Sequence, residues 1–403
     1  MSFIKLLFGL IVYKIAPIKR NRFVFTSFGG HYSDNTKAIS EKLHEMDSSA
    51  EIVWLISENY KSDLPEYVRA VDINSFSAYW YRGSAAAQID NVYGFRAFFL
   101  TNDSFFSKFK SFVWRTLSYK KNQPIYVTMH GTPLKKIGRD QIGNVILGMS
   151  CPNTCMLVGD QLSADVFERV TFGTMPITVI GAPRNDALFL ENSSAKEKLG
   201  LPIDKKILLF APTFRNDGID VEGKNIQRSG LDQLSAMNFE ELFGTLNEKF
   251  GGEWVMVCRF HYHVADMVDW DSLNKKYPGR FINGNKYDDM ADYLSVTDIL
   301  ISDSSSCMFD FAHIKKPCFI YFPDLENYRD KERGFYMDIE SLPFPVAVDF
   351  SKFIENIKNF DQAVYSHKVD EMLENIGTGN DGHASERAVE YIFKNTKKYS
   401  ANK

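Results

Sequence analysis

Short apolar runs and helical stretches alternate along most of the chain. Arg22–Thr26 reads as a strand, followed by a glycine-containing turn at Phe28-Gly29-Gly30, a helix over Asn35–Glu45 and a strand over Glu51–Ile56. Ile125–Met129 is a further strand that runs directly into His130, and Met156–Val158, a helix near Gln161–Phe167 and Ile177–Ile180 continue the alternation. After a polar stretch at Glu191–Lys205 a second, similar series begins, with strands at Ile207–Phe210, Trp254–Cys258, Asp298–Ile301 and Cys318–Tyr321. Helices are predicted near Phe239–Phe250, Ser306–His313 and Ala384–Asn395. Strands that alternate with helices make βαβ units, and βαβ units make parallel sheets covered by helices. The expectation is therefore two Rossmann-like domains, the first over residues 21–195 and the second over 196–403, with the last helix packing back on the first domain. A length of 403 residues suits two cores rather than one.

In open α/β sheets ligands gather outside the carboxyl ends of the strands. The residues at those ends are chemically suggestive. The strand at Ile125 leads into His130-Gly131-Thr132-Pro133-Leu134-Lys135, and that at Ile177 into Pro183-Arg184-Asn185-Asp186. The second series offers Pro212-Thr213-Phe214-Arg215, then Arg259-Phe260-His261, then Ser302-Asp303-Ser304-Ser305-Ser306. Arginines form bidentate contacts with phosphates. Serines ahead of a helix either hold a phosphate with the free amides or simply cap the helix. Two histidines at strand ends suit proton transfer or stabilisation of developing charge. Asp288-Asp289 either hints at a divalent cation or begins a helix that runs to Tyr293.

Composition narrows the field. With 44% hydrophobic and 24% charged residues the chain is an ordinary globular sequence, which sets disorder aside. A net charge of −4 carries no basic field of the kind nucleic acids require. The five cysteines are scattered, and Cys151 and Cys155 lack the further ligands a zinc site needs, so neither disulfides nor a metal are expected. No P-loop, G-x-S-x-G elbow or G-x-G-x-x-G fingerprint is present. At the N-terminus, Phe3–Val12 is apolar apart from Lys5 and Gly9, and Lys14, Lys19, Arg20 and Arg22 come before the first acid, Asp34. The run is too short to span a bilayer. It reads either as an interfacial segment on an anionic membrane, over residues 1–20, or as a helix docked on the protein's own core.

Taken together these strings resemble the CDP-glycerol glycerophosphotransferase family, the teichoic-acid primases and polymerases and their capsule-building relatives. His130-Gly131-Thr132-Pro133-Leu134-Lys135 is similar to the family hallmark. Ser27-Phe28-Gly29-Gly30 with Ser33-Asp34-Asn35 resembles its N-terminal turn, and Pro183-Arg184-Asn185-Asp186 its mid-chain motif. Ala211-Pro212-Thr213-Phe214-Arg215 matches A-P-T-W-R with Phe214 for Trp, and Arg259-Phe260-His261 matches R-x-H. Ser302 to Asp310 resembles T-D-Y-S-S-x-M-F-D, with Ser304 in place of Tyr. Tyr328-Arg329-Asp330 with Arg333-Gly334-Phe335-Tyr336, and Asp381-Gly382 with Ala384-Ser385 and Arg387, complete the series in order.

The resemblance implies a GT-B-like fold of two Rossmann-like domains facing across a cleft, the first on the acceptor side and the second binding the CDP donor. It implies transfer of glycerol-phosphate, or a similar polyol-phosphate, onto a hydroxyl of a lipid-linked or growing teichoic-acid or capsule polymer, with release of CMP and without a cofactor. It places the enzyme peripherally on the cytoplasmic face of the bacterial membrane. His130 and His261 are then the catalytic candidates, in roles the sequence does not order. Gly131, Thr132, Lys135, Arg184, Pro212, Thr213, Arg215, Arg259, Ser302, Asp303, Ser304, Ser305, Ser306 and Arg329 are the candidate substrate contacts. The alternatives are a nucleotide-sugar glycosyltransferase of cell-surface polysaccharide synthesis on the same fold, and an inactive partner in a polymer-synthesis complex.

Overall fold

The computed structural model describes residues 3–58, 64–91, 98–100, 120–140, 148–150, 153–171, 173, 175–190, 194–213, 230–260, 267–287, 289–329 and 334–400. Strands β1 (Lys19–Thr26), β2 (Glu51–Ile56), β3 (Val68–Asp72), β4 (Ala85–Asp90), β5 (Phe98–Leu100), β6 (Ile125–Val127), β7 (Gly148–Ser150), β8 (Thr154–Val158) and β9 (Ile177–Val179) lie in the first half of the chain. Seven of them form one sheet in the order β3-β2-β1-β4-β6-β8-β9, while β5 and β7 make a separate antiparallel pair. All pairings in the large sheet are parallel. The chain winds outward from β1 to β3, then resumes on the other side of β1 as β4. That reversal is the topological switch point at which ligands bind in such sheets.

Period-two alternation sends successive strand residues to opposite faces. Phe23, Phe25, Ile52, Trp54, Ile89 and Tyr126 share one face and bury Ile39 and Leu43 of helix α2 (Asp34–Met46). Val24, Val53, Leu55 and Val71 take the other face with Ala78 of helix α3 (Phe76–Ser84).

The second sheet holds β10 (Lys206–Ala211), β11 (Trp254–Cys258), β12 (Phe281–Asn283), β13 (Ile299–Ser302), β14 (Cys318–Tyr321) and β15 (Val346–Ala347). Their order is β12-β11-β10-β13-β14-β15, again all parallel, with the reversal between β10 and β13. Strands β10, β11 and β14 are near-continuous apolar runs because both faces of a parallel sheet are covered.

The compact units are not contiguous. One comprises Met1–Thr132, Ile137–Asp186 and Gly377–Lys403, and the other Pro133–Lys136 with Ala187–Ile376. The change of unit at Asp186 precedes the 195/196 division expected from the sequence, and the first unit also takes in the last helix, Ala384–Ser400. It buries Ala388, Val389 and Ile392 in the α2 face of the first sheet. Asp186 accepts from the amides of Ala384 (2.9 Å) and Ser385 (2.7 Å), a carboxylate set on the positive end of that helix. Pro183-Arg184-Asn185-Asp186 thus has an architectural task in the fold.

The N-terminal segment forms helix α1 (Phe3–Ile15). It packs on α3 through Leu10, Tyr13 and Tyr79. At Gly9 an added Cβ would stand 2.6 Å from the Tyr79 ring, so only glycine permits this approach. The Tyr13 hydroxyl joins a buried amide network with Gln88 and Gln123. The docked reading therefore holds for one face of the helix. Phe8, Ile11 and Ile15 remain 58%, 44% and 68% exposed. On α3, Phe76 and Trp80 are exposed as well. Among the described residues no helix is long and apolar enough to cross a membrane.

Candidate functional site

In the first unit the site is built at the β1/β4 switch point. β6 stops at Val127, two residues short of the predicted end, because Met129 turns into the left-handed region with φ 50. Gly131 has φ 123, so His130 stands between two residues of positive φ and is exposed. Left-handed backbone at a residue with a side chain costs energy and clusters at functional sites. The loop after β1 repeats the pattern: Phe28 has φ 37, and its ring meets the His130 ring edge to face at 5.5 Å. Asn35, at the start of α2, ties the strand ends together. Its side-chain nitrogen donates to the Met129 carbonyl (3.0 Å), and its side-chain oxygen accepts from the Arg184 backbone amide (3.1 Å).

Several expected substrate contacts of this unit are committed to the fold. The Thr132 hydroxyl donates to the buried carboxylate of Asp160 at 2.6 Å. The Arg184 guanidinium pairs with Asp34 at 2.9 Å, both side chains being at most 10% exposed. A buried arginine needs such a partner. Lys135 pairs in an antiparallel bridge with Phe335, and the amides of Lys136 and Tyr336 donate to the carbonyls of Gly334 and Leu134 at 3.1 and 2.8 Å. The hallmark string is therefore shared out: His130-Gly131-Thr132 belongs to the first unit, Pro133 to Lys136 to the second.

In the second unit the strand ends at the β10/β13 switch point converge. Asp303 is fully buried and acts as a knot. It accepts from the Thr213 amide (2.9 Å), the Thr213 hydroxyl (2.8 Å), the Ser304 amide and the Gln233 side chain (3.3 Å). The Thr213 and Ser304 hydroxyls lie 3.0 Å apart. Ser302 donates to the Ala211 carbonyl at 2.7 Å. Ser305 and Ser306 are half-buried ahead of helix Cys307–Ala312, and Ser306 makes no side-chain cap bond. Burial pushes the Cys307 thiol up to about 11, so it is no nucleophile at neutral pH. Pro212 packs 2.7 Å from where a Cβ at Gly230 would be, with Phe260 alongside.

Arg259 is brought to this edge but is held from behind. Its guanidinium donates to the carbonyls of Gly284 and Tyr287 and lies 5.4 Å from the Tyr293 ring centroid. Burial raises the Tyr293 hydroxyl, which keeps that ring neutral under the cation. Arg329 stands apart, in a bidentate pair with Glu340 at 2.5 and 2.6 Å. Arg215 and His261 lie outside the described residues. His263 lies outside them too, whereas His313 ends the helix after Ser306, rests 5.9 Å from Phe189, and is held below the usual histidine range by burial. Asp288 lies outside the described residues, while Asp289 caps the helix Met290–Val296 by accepting from the Ala291 amide.

Residue-by-residue reading left out Asn35, Phe28, Asp160 and Gln233, which organise these edges. The signal for the first two was present in Ser27-Phe28-Gly29-Gly30 and Asp34-Asn35, since glycine pairs and Asp-Asn mark left-handed turns.

Two parallel α/β units, each with polar side chains gathered at its switch point, define a GT-B-like protein of the Rossmann class. The family model for CDP-glycerol:poly(glycerophosphate) glycerophosphotransferases matches residues 10–394, and the chain belongs to that family. It is 29% identical over 401 residues to the teichoic acid poly(glycerol phosphate) polymerase of Bacillus subtilis (strain 168), covering 94% of this chain and 49% of that protein. It is also 29% identical to the teichoic acid glycerol-phosphate transferase of Staphylococcus aureus, covering 93% of both. The chain spans about half the length of that Bacillus subtilis polymerase and of the corresponding polymerase of Staphylococcus epidermidis. The solved structure of the wall teichoic acid polymerase TagF superposes with a TM-score of 0.75 at 25% identity, over 97% of this chain and 94% of that one.

Proposed function

We propose that the protein transfers glycerol-phosphate, or a closely similar polyol-phosphate, from a CDP-linked donor to the hydroxyl end of a teichoic-acid-type polymer. The observation that carries this is the exposed His130 in its strained turn, within a chain that matches the family model from residue 10 to 394. The acceptor hydroxyl gives its proton to the imidazole and its oxygen forms a bond to the β-phosphorus. The bond from that phosphorus to the CMP oxygen breaks, and CMP leaves with the electron pair. An imidazole suits this task because its reference pKa is about 6.5. His261 is assigned the complementary role, stabilising the phosphate or returning a proton.

The donor is assigned to the second unit. Ser305 and Ser306 are half-buried hydroxyls at its switch point, and Arg259 follows β11, two strands away in the same sheet. Asp303 and Ser302 support the edge rather than touch substrate. Arg259→Ala is expected to weaken CDP binding by about tenfold or more, as loss of a charge-assisted contact does. Calorimetry with CDP checks this; an unchanged affinity places the donor elsewhere. The decisive assay of function incubates the protein with CDP-glycerol and a glycerol-phosphate-terminated acceptor. CMP is the expected product, and release of a nucleoside diphosphate from a sugar nucleotide would favour the glycosyltransferase reading instead.

The lipid-linked acceptor and the membrane belong to the same proposal. Phe8, Ile11 and Ile15 fall on one stripe of α1, and Phe76 and Trp80 are exposed on the helix it packs against. Lys14, Lys19 and Arg20 are exposed nearby in sequence. Apolar residues flanked by cations seat in the interface of an anionic leaflet. The triple change Phe8→Ser, Ile11→Ser and Ile15→Ser leaves Leu10 and Tyr13 in place. It is expected to abolish most sedimentation with phosphatidylglycerol vesicles without lowering the unfolding temperature. Equal sedimentation of variant and parent would remove the membrane role of α1.

A further inference from the structure

The α2 face of the first sheet ends in a polar layer whose groups the fold does not satisfy. Phe25, Ile89 and Tyr126 are in register across β1, β4 and β6 and belong to one apolar core. Two residues further along each strand, on the same face by the period of two, stand Ser27, Asn91 and Thr128. The ladder continues to this level, since the Thr128 amide donates to the Asp90 carbonyl at 2.9 Å. Neighbouring strands are about 4.8 Å apart, so the three side chains form a row. All three residues are at most 4% exposed. Among the described residues the Ser27 hydroxyl, the Asn91 side-chain amide nitrogen and the Thr128 hydroxyl have no hydrogen-bond partner.

A buried polar group left unpaired is destabilising, and native folds hold few of them. Here three of them stand in one row at the switch point of the sheet. The row is tied to the histidine turn. The other Asn91 side-chain atom accepts from the Phe28 amide at 3.1 Å, and the Phe28 ring meets His130. Thr128 precedes His130 by two residues. The orientation of the Asn91 amide is set by that backbone donor, which leaves its nitrogen as a donor for a ligand oxygen.

We infer that Ser27, Asn91 and Thr128 seat the terminal hydroxyl groups of the acceptor beside His130, and so select a polyol end. The inference rests on the reading of His130 as the base. The three side chains of the row are uncharged, and Asp34 and Arg184, at the same end of the sheet, are paired with each other. Neutral hydroxyl groups are therefore the matching chemistry, not a phosphate. Phe28 follows Ser27 and is 44% exposed, so the row adjoins the surface at the histidine turn.

Ser27→Ala and Thr128→Val delete the two hydroxyls with little change of shape. A hydroxyl with a partner in the fold makes such a variant less stable. A hydroxyl kept for a ligand leaves the unfolding temperature unchanged or raises it. The test measures unfolding temperature together with KM for a synthetic lipid ending in one glycerol-phosphate unit and KM for CDP-glycerol. The expected result is an acceptor KM raised roughly tenfold in each variant, the worth of one well-placed hydrogen bond, with donor KM and unfolding temperature not reduced. Unchanged acceptor KM in both variants, with His130→Ala inactive, overturns the seat and leaves the role of His130 standing. A lower unfolding temperature in both variants also overturns it. Activity retained by His130→Ala instead removes the catalytic reading on which the seat depends.

Discussion

His130→Ala is expected to lower CMP release by roughly 10²- to 10⁴-fold, the usual cost of removing a positioned general base. The side chain is exposed at the tip of its turn, and its ring meets that of Phe28. Truncation therefore leaves no cavity in the core, and the variant should unfold at close to the parent temperature. What holds the turn is the backbone: Asn35 binds the Met129 carbonyl and Gly131 supplies the positive φ. Gly131→Ala should consequently damage activity without removing the imidazole, because a β-carbon is strained at φ 123. Turnover of His130→Ala within a few-fold of the parent, at saturating acceptor, would exclude acid–base chemistry by this residue. The family membership would stand regardless, since it rests on the match over residues 10–394.

A second large effect is expected at Arg184, this time on stability. Removing one partner of a buried ion pair strands the other charge and costs about 3–5 kcal/mol. Arg184 and Asp34 satisfy the conditions, with side chains 9% and 10% exposed at a separation of 2.9 Å. Arg184→Ala should therefore shift the urea midpoint far below that of the parent. Asp34→Asn offers a control, because asparagine tolerates the φ of 65 found at this position. Combined with Arg184→Ala it removes both charges, and the double variant should recover part of the loss. If Arg184→Ala unfolds like the parent yet loses acceptor binding, Arg184 is a substrate contact as its motif suggested, and the structural assignment is wrong.

Local chemistry made much of the fold legible. Glu51–Ile56, Trp254–Cys258 and Cys318–Tyr321 are strands at the residues expected, and Phe239–Phe250 is a helix at the residues expected. Continuous runs of valine, isoleucine and aromatic residues between polar punctuation are a sufficient signal when both faces of a sheet are covered. Ala85–Asp90 carried no such signal, because three alanines and a glutamine do not favour a strand. Its conformation comes from its place between β1 and β6, fully buried at the centre of the sheet. The helix Phe76–Ser84 was equally hidden, since its identity depends on packing against α1.

The same division runs through the site. The order of strand-end motifs, readable residue by residue, determined the family, the α/β class and the presence of His130 at a strand end. Tertiary structure decided what each polar group does. Thr132, Arg184, Ser302 and Asp303 have the chemistry to bind a phosphate or a hydroxyl, yet the fold uses them to answer Asp160, Asp34, the Ala211 carbonyl and the Thr213 amide. The physical reason is that a buried polar group must find a partner, and which partner lies within 3 Å depends on strands far apart in the chain. The reverse holds for Ser27, Asn91 and Thr128. Nothing local distinguishes them from any other polar residue after a strand. The register of β1, β4 and β6 sets them in one unsatisfied row beside the histidine.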